Sequence, residues 1–273
     1  MKSKHLEKIS AEIRSKIVSY SKYSGIPHLG SCLSLVDILV AIYFDVANVN
    51  GSAPLDKNRD RIVLSKGHGA PALFQILAAK GYFPEDWLFR PGHGGGLFGE
   101  HPPTPAHLPG IEAATGSLGH GLPMALGMAL NGKIRKLSYH NYVICGDGEC
   151  NEGTIWESLM FAAAKKLDNL TVIVDNNGWQ ATGKIDDVLG VDPLDKKFEA
   201  FGFQTVVIDG HNIEQLCSTL KILKMSNRPS AIIAKTIKGK GVSFMENDNN
   251  WHYRIPNSEE LALAKLELKG SEK

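Results

Sequence analysis

The sequence predicts an α/β fold: a parallel sheet flanked by helices on both faces. Three observations carry this. From residue 142 onward, short Val/Ile-rich runs alternate with helical stretches. Those runs are continuously apolar, as strands covered on both faces must be. The pattern continues without repeat or low-complexity tract through a chain of 273 residues that is 43% hydrophobic, enough for a large core.

The elements follow in order. Leu6, Ile9, Ile13, Ile17 and Val18 recur at helical spacing across 4–22, and Gly25-Ile26-Pro27 ends that helix. "SLVDILVAIYF" (34–44) predicts a second, strongly apolar helix. "RIVLS" (61–65) predicts a short buried strand, and "GAPALFQILAAKG" (69–81) a helix reached from a Gly-rich turn. Across 84–114 periodicity gives way to Gly, Pro and His, a loop long enough to suggest function. "HGLPMALGMALNGK" (120–133) restores a helix of small residues. Strand 142–145, helix 154–167, strand 169–176, strand 203–209, helix 213–224, strand 230–236 and a charged helical tail complete the pattern. Residues 1–273 read as one domain.

Bulk properties exclude several functions. A formal net charge of +1 argues against an electrostatic nucleic-acid binder. The amphipathic N-terminus lacks the apolar centre of a signal peptide, and no run of about 18 apolar residues suggests a membrane span. Cys32, Cys145, Cys150 and Cys217 form no CxxC pair and are expected to be reduced and buried. The expected location is cytoplasmic.

The chemistry concentrates in "GDGECNEG" (146–153) and "DNNGW" (175–179), each following an apolar strand. Thirty residues separate Asp147 from Asn177, the length of one strand-helix-strand crossover. The two loops should therefore be neighbours at the carboxyl edge of the sheet, where ligands collect. Either stretch alone could be a plain turn. Together, the Asp147 carboxylate, the Asn177 amide oxygen and the Trp179 carbonyl make an oxygen donor set suited to Mg²⁺, or to Ca²⁺ or Mn²⁺. Gly146 and Gly148 would let a diphosphate approach the backbone, beside the N-terminus of the following helix.

Here the sequence resembles the transketolase family. "GDG" followed some thirty residues on by "DNN" looks like the thiamine diphosphate signature. "SGIPHLGSCLSLVDILVAIYF", "LSKGHGAPALFQILAAKGYFP", "GIEAATGSLGHGLPMALGMAL" and "TIKGKGVSFMEN" resemble further segments in the family's order. The resemblance implies thiamine diphosphate and a divalent metal as cofactors, with Asp147, Asn177 and the Trp179 carbonyl on the metal. It implies cofactor contacts at His68, Gly116, Ser117, Leu118 and Gly148, and an interface acid serving the cofactor sites at Glu152. It places His28 and His101 by the reacting carbon and substrate, and His252 by both cofactor and substrate. Histidine suits that work because it titrates in the range where hydroxyl and carbonyl oxygens exchange protons. The pattern departs from the family at His120, where Gln is common, and at Ile26-Pro27 and "WHYRIP". His93 and His107 flank the same loop as His101 without metal-ligand spacing.

Enzymes of this family also need a glutamate against the aminopyrimidine ring, supplied by a pyrimidine-binding domain. No residue in this sequence matches it. The resemblance is thus to the N-terminal subunit of a split transketolase. It implies a separately encoded C-terminal partner in an α₂β₂ assembly, with two-carbon ketol transfer from a ketose, phosphorylated or not, to an aldehyde or keto-sugar acceptor. Acyl transfer or 2-oxo acid decarboxylation is the mechanistic alternative, specialised branched-sugar synthesis another, and a non-catalytic cofactor-binding or scaffold subunit the alternative of a different class.

Overall fold

The structure is a computed structural model that describes residues 2–89 and 98–270. Five strands form one sheet: β1 (Arg61–Leu64), β2 (Asn141–Gly146), β3 (Leu170–Asn176), β4 (Gln204–Asp209) and β5 (Ser230–Lys235). Every pair is parallel, in the order β1-β2-β3-β5-β4. All five carboxyl ends therefore face one edge, and their loops can build a common site.

Strand side chains divide between two cores, as the pleat requires. Ile62, Leu64, Tyr142, Ile144, Ile173 and Ile232 join one apolar cluster, and Val63, Val143, Cys145, Val172, Val174 and Ile233 join the other. The first cluster is closed by α1 (Lys2–Ser24), α2 (Leu29–Ser34), α3 (Val36–Ala41), α4 (Ala70–Ala79), α9 (Ile213–Lys224) and α10 (Ser258–Gly270). The second is closed by α5 (Gly121–Ile134), α6 (Gly153–Ala164) and α8 (Leu194–Ala200). Burying each such Val, Ile or Leu contributes about 1.5–3 kcal/mol, so the strands are the main anchor for the loops they end in. All four cysteines are buried free thiols.

The helix expected over 34–44 is corrected. It begins five residues earlier, at Leu29, breaks at Leu35, resumes as α3 and closes in a π-helical turn over Ile42–Val46. The start is set by His28, whose left-handed backbone (φ 70°) turns the chain after Pro27. The structure adds α7 (Ile185–Leu189) and α8, each too short for periodicity to register. Within 84–114 it shows a 3₁₀ turn at Glu85–Phe89. His93 and residues 271–273 of the charged tail lie outside the described residues.

Candidate active site

The two signature loops meet as their spacing predicts. Gly146 of β2 pairs with Asp175 of β3, so Asp147 and Asn177 leave adjacent strands side by side. Asp147 is buried; Oδ1 accepts from Gly148 N–H (2.8 Å) and Oδ2 from Gly178 N–H (2.6 Å). These bonds hold the two loops to each other through the carboxylate. Burial, only partly offset by those donors, raises its pKa to about 6. Asn177 Oδ1 accepts from Trp179 N–H at 3.0 Å, which folds the second loop so that Asn177 and Trp179 face the same cleft.

That cleft, of about 200 Å³, is lined by Asp147, Gly148, Asn177, Trp179, His68 and His252, with Leu118 at its side. Gly148 permits close approach: a Cβ there would stand 2.8 Å from Gln180 Cγ.

Two lysines with no motif role in the sequence lie at the same place. Lys66, from the loop after β1, is buried and paired with Asp175, which also accepts from Ser34 Oγ (2.6 Å) and Thr236 Oγ1. Lys238, from the loop after β5, is 1% exposed; its Nζ donates to Gln180 O (3.0 Å) and Asn249 Oδ1 (2.6 Å). Burial, with Lys66 as a second cationic neighbour, lowers its pKa to about 8. Neither of those partners is a carboxylate, so an anion in the cleft would complete Lys238. The available signal was "SKGHG" and "TIKGKG", each putting a lysine beside glycine just after a strand.

The histidines converge. His28 stacks on His68 with ring centroids 4.0 Å apart, and His252 lies 4.8 Å from the first ring and 5.0 Å from the second. His101 adds a fourth ring 5.2 Å from His68. His28 N–H donates to His252 O (3.0 Å), tying the turn before α2 to the 3₁₀ turn at Asn249–His252. Burial lowers the pKa of all three central rings, to about 4 for His68 and about 3 for His252, so each is neutral at pH 7. Both ring nitrogens of His28 and Nε2 of His252 are buried with no hydrogen-bond partner among the described residues. The nearest carboxylate, Glu100, stands 3.5 Å from His28 Nε2 and is half exposed. Such buried groups are costly unless a ligand completes them.

Gly116, Ser117 and Leu118 run beside this cluster; a Cβ on Gly116, whose φ is 149°, would meet the His101 ring at 3.0 Å. The segment is pinned by Glu149, for which the sequence suggested no role. Buried beneath it, Glu149 accepts from Gly119 N–H (2.8 Å), Gly146 N–H (3.1 Å) and Ser65 Oγ. Glu152 stands apart from the cleft, exposed at the start of α6 and making no capping bond. His120 is exposed, its Nδ1 3.0 Å from Leu118 O, and His107 is exposed on the loop.

Residues 8–269 match the family described as transketolase, thiamine diphosphate binding domain. The chain belongs to the transketolase family. It is 42% identical over 265 residues to an apulose-4-phosphate transketolase subunit of Actinobacillus succinogenes, a match covering 97% of this chain and 96% of that protein. It is 40% identical to the 6-deoxy-6-sulfo-D-fructose transketolase subunit SqwG of a Clostridium species, covering 90% of each. Among solved structures, transketolase from Campylobacter jejuni superposes with a TM-score of 0.83 at 28% identity, over 98% of this chain and 48% of that one. This transketolase-family chain thus spans about half of that solved chain, but nearly all of the relatives named as subunits. By its family it is a component of a transferase. No helix among the described residues is long and apolar enough to cross a membrane.

Proposed function

We propose that this chain is the thiamine diphosphate- and divalent-metal-binding subunit of a two-subunit transketolase. It moves a two-carbon ketol unit from a ketose to an aldehyde or keto-sugar acceptor. The observation that carries this reading is one cleft lined by Asp147, Asn177, Lys66, His68 and His252, with Lys238 bonded to Gln180 of its wall and His28 stacked on His68. The donor chemistry fits the group. Asp147, Asn177 and the Trp179 carbonyl would hold Mg²⁺, or Ca²⁺ or Mn²⁺ in its place. Gly148, His68, Lys66 and Lys238 would surround the diphosphate, and Gly116, Ser117 and Leu118 would lie along the aminopyrimidine ring. When bound, thiamine diphosphate supplies the stabilised carbanion that carbon–carbon cleavage next to a carbonyl requires.

The protein's own part is then to bind, orient and move protons. On this reading His28, His101 and His252 would face the donor and acceptor hydroxyls, where an imidazole can both take and return a proton. Glu152, exposed and making no capping bond, is on this reading an interface acid that reaches a neighbouring subunit. The partner is a separately encoded C-terminal subunit with the pyrimidine-binding domain, in an α₂β₂ assembly. That two relatives of nearly equal length are named as subunits supports a separate partner. Residues 1–273 act as one cytoplasmic cofactor-binding domain, and the substrates are ketose derivatives of the kind those relatives' names describe.

The test is co-production with the candidate partner, followed by ketol-transfer assays over a panel of donors and aldehydes. Activity should need both chains. Asp147→Ala should abolish metal-dependent cofactor binding, whereas His28→Ala should lower turnover with the cofactor still bound. Unchanged thiamine diphosphate affinity in the Asp147 variant would overturn the metal assignment.

A further inference from the structure

We propose that His211 is a positioning residue for Lys238, linking the α1–α3 core to the cofactor cleft through the backbone of Ile237. The inference rests on reading that cleft as a diphosphate site. Lys238 occupies the loop after β5, and most of that loop is held by backbone bonds. Gly210 N–H donates to Lys235 O (2.8 Å), Thr236 N–H to Asn176 O (3.1 Å) and Gly239 N–H to Gly30 O (3.0 Å). Ile237 is different. Its N–H, immediately before the lysine, donates to a side chain, His211 Nε2, at 2.8 Å.

The His211 ring can satisfy its neighbours in only one way. Nδ1 lies 2.8 Å from Asp37 Oδ2, and Nε2 must present a lone pair to Ile237 N–H. The proton is therefore on Nδ1. Asp37 can serve as that acceptor because it is ionised. Burial alone would raise its pKa, but Arg14, bidentate at 3.1 and 2.6 Å, and His211 hold it well below the usual carboxylate range. Arg14 is fixed in turn by Leu33 O. The chain of contacts runs from α1 to α3, to the loop after β4, to the loop after β5.

The surroundings permit no slack. A Cβ on Gly210 would stand 2.5 Å from Thr236 Cγ2, so the two loops touch backbone to side chain. A Cβ on Gly30 would stand 3.0 Å from Lys238 Cγ, so the lysine stem lies flat on the start of α2. A shift of the Ile237 amide would consequently displace the ammonium group from Gln180, in the wall of the cleft.

His211→Asn and His211→Gln separate positioning from mere packing. Asn keeps a donor near Asp37 but cannot reach Ile237; Gln keeps an acceptor for Ile237. The full chain is titrated with inorganic pyrophosphate and with thiamine diphosphate, each with Mg²⁺, and amide exchange is followed over 236–239. His211→Asn should weaken pyrophosphate by about tenfold, the effect of one lost hydrogen bond, and speed exchange at Ile237. His211→Gln should recover most of both. Wild-type behaviour in the Asn variant, or equal losses in both variants, would overturn the proposal. Should the Asn variant not fold, Gly210→Ala reads the same coupling, and unchanged exchange and affinity there would also overturn it. If the unmodified chain binds neither probe, the diphosphate reading fails, and the exchange difference alone then decides the role of His211.

Discussion

His68, His252 and His140 each carry a pKa depressed by burial, to about 4, about 3 and about 4. His140 lies away from the cleft, with Nε2 2.8 Å from Thr171 Oγ1. In the unfolded chain these rings titrate near 6.5, so the folded state binds protons more weakly than the unfolded one. The sign follows: their contribution to stability is complete above about pH 6.5 and is lost as pH falls toward the folded values near 4. Thermal unfolding of the cofactor-free chain should show a melting temperature that declines between about pH 6.5 and 4. Asp147, raised to about 6, acts in the opposite sense but is one group against three, so a flat profile would overturn the depressed imidazole values.

At the scale of an element, the turn from Leu118 into α5 depends on one glycine. Gly119 has φ 78°, and a Cβ there would stand 2.4 Å from Thr154 Oγ1 and 2.6 Å from Glu152 Cβ. Gly119→Ala combines left-handed strain with overpacking, for a loss of about 1–3 kcal/mol in denaturant unfolding. It should also weaken thiamine diphosphate binding, since Gly119 N–H is the anchor that Glu149 holds. An unaltered cofactor affinity would show that the 116–118 segment is positioned independently of this turn. The α2–α3 break belongs to the same scale. Leu29 to Ser34 are all buried although Gly30, Ser31 and Ser34 are not apolar, so the apolar pattern starts the helix too late. Gly25-Ile26-Pro27 was visible as an end to α1, but the turn that starts α2 uses a left-handed histidine, for which the sequence carries no rule.

For the whole molecule, the outward faces of α5 and α6 are the notable surface. Met124 of α5 and Met160 and Phe161 of α6 are 38–54% exposed, on helices that contact each other, and Leu118 at the cleft is 39% exposed. Exposed apolar groups on adjoining helices fit an interface with another subunit. The double substitution Met160→Lys, Phe161→Glu should leave secondary structure and melting temperature near those of the parent. It should abolish co-purification with the proposed partner subunit, and ketol transfer with it. Retained association and activity would place the interface elsewhere.

Local pattern was enough for the fold class, for most of the strands and longer helices, and for the adjacency of the two signature loops. These depend on periodicity and on a fixed crossover length, which are properties of local chain geometry. The parallel arrangement brought Asp147 beside Asn177 because β2 and β3 are consecutive and adjacent. What meets across the other strand ends was settled only by the folded sheet. The order β1-β2-β3-β5-β4 sets the loop after β5 next to β3 and so delivers Lys238 to the cleft. It also brings Lys66 onto Asp175, 109 residues away in sequence, and lays Glu149 beneath Gly119. Glu149 was one of the residues of "GDGECNEG" with no legible role, because two of its three partners, Ser65 and Gly119, lie on other loops. A buried charge is defined by what surrounds it, and those surroundings exist only once the chain has folded.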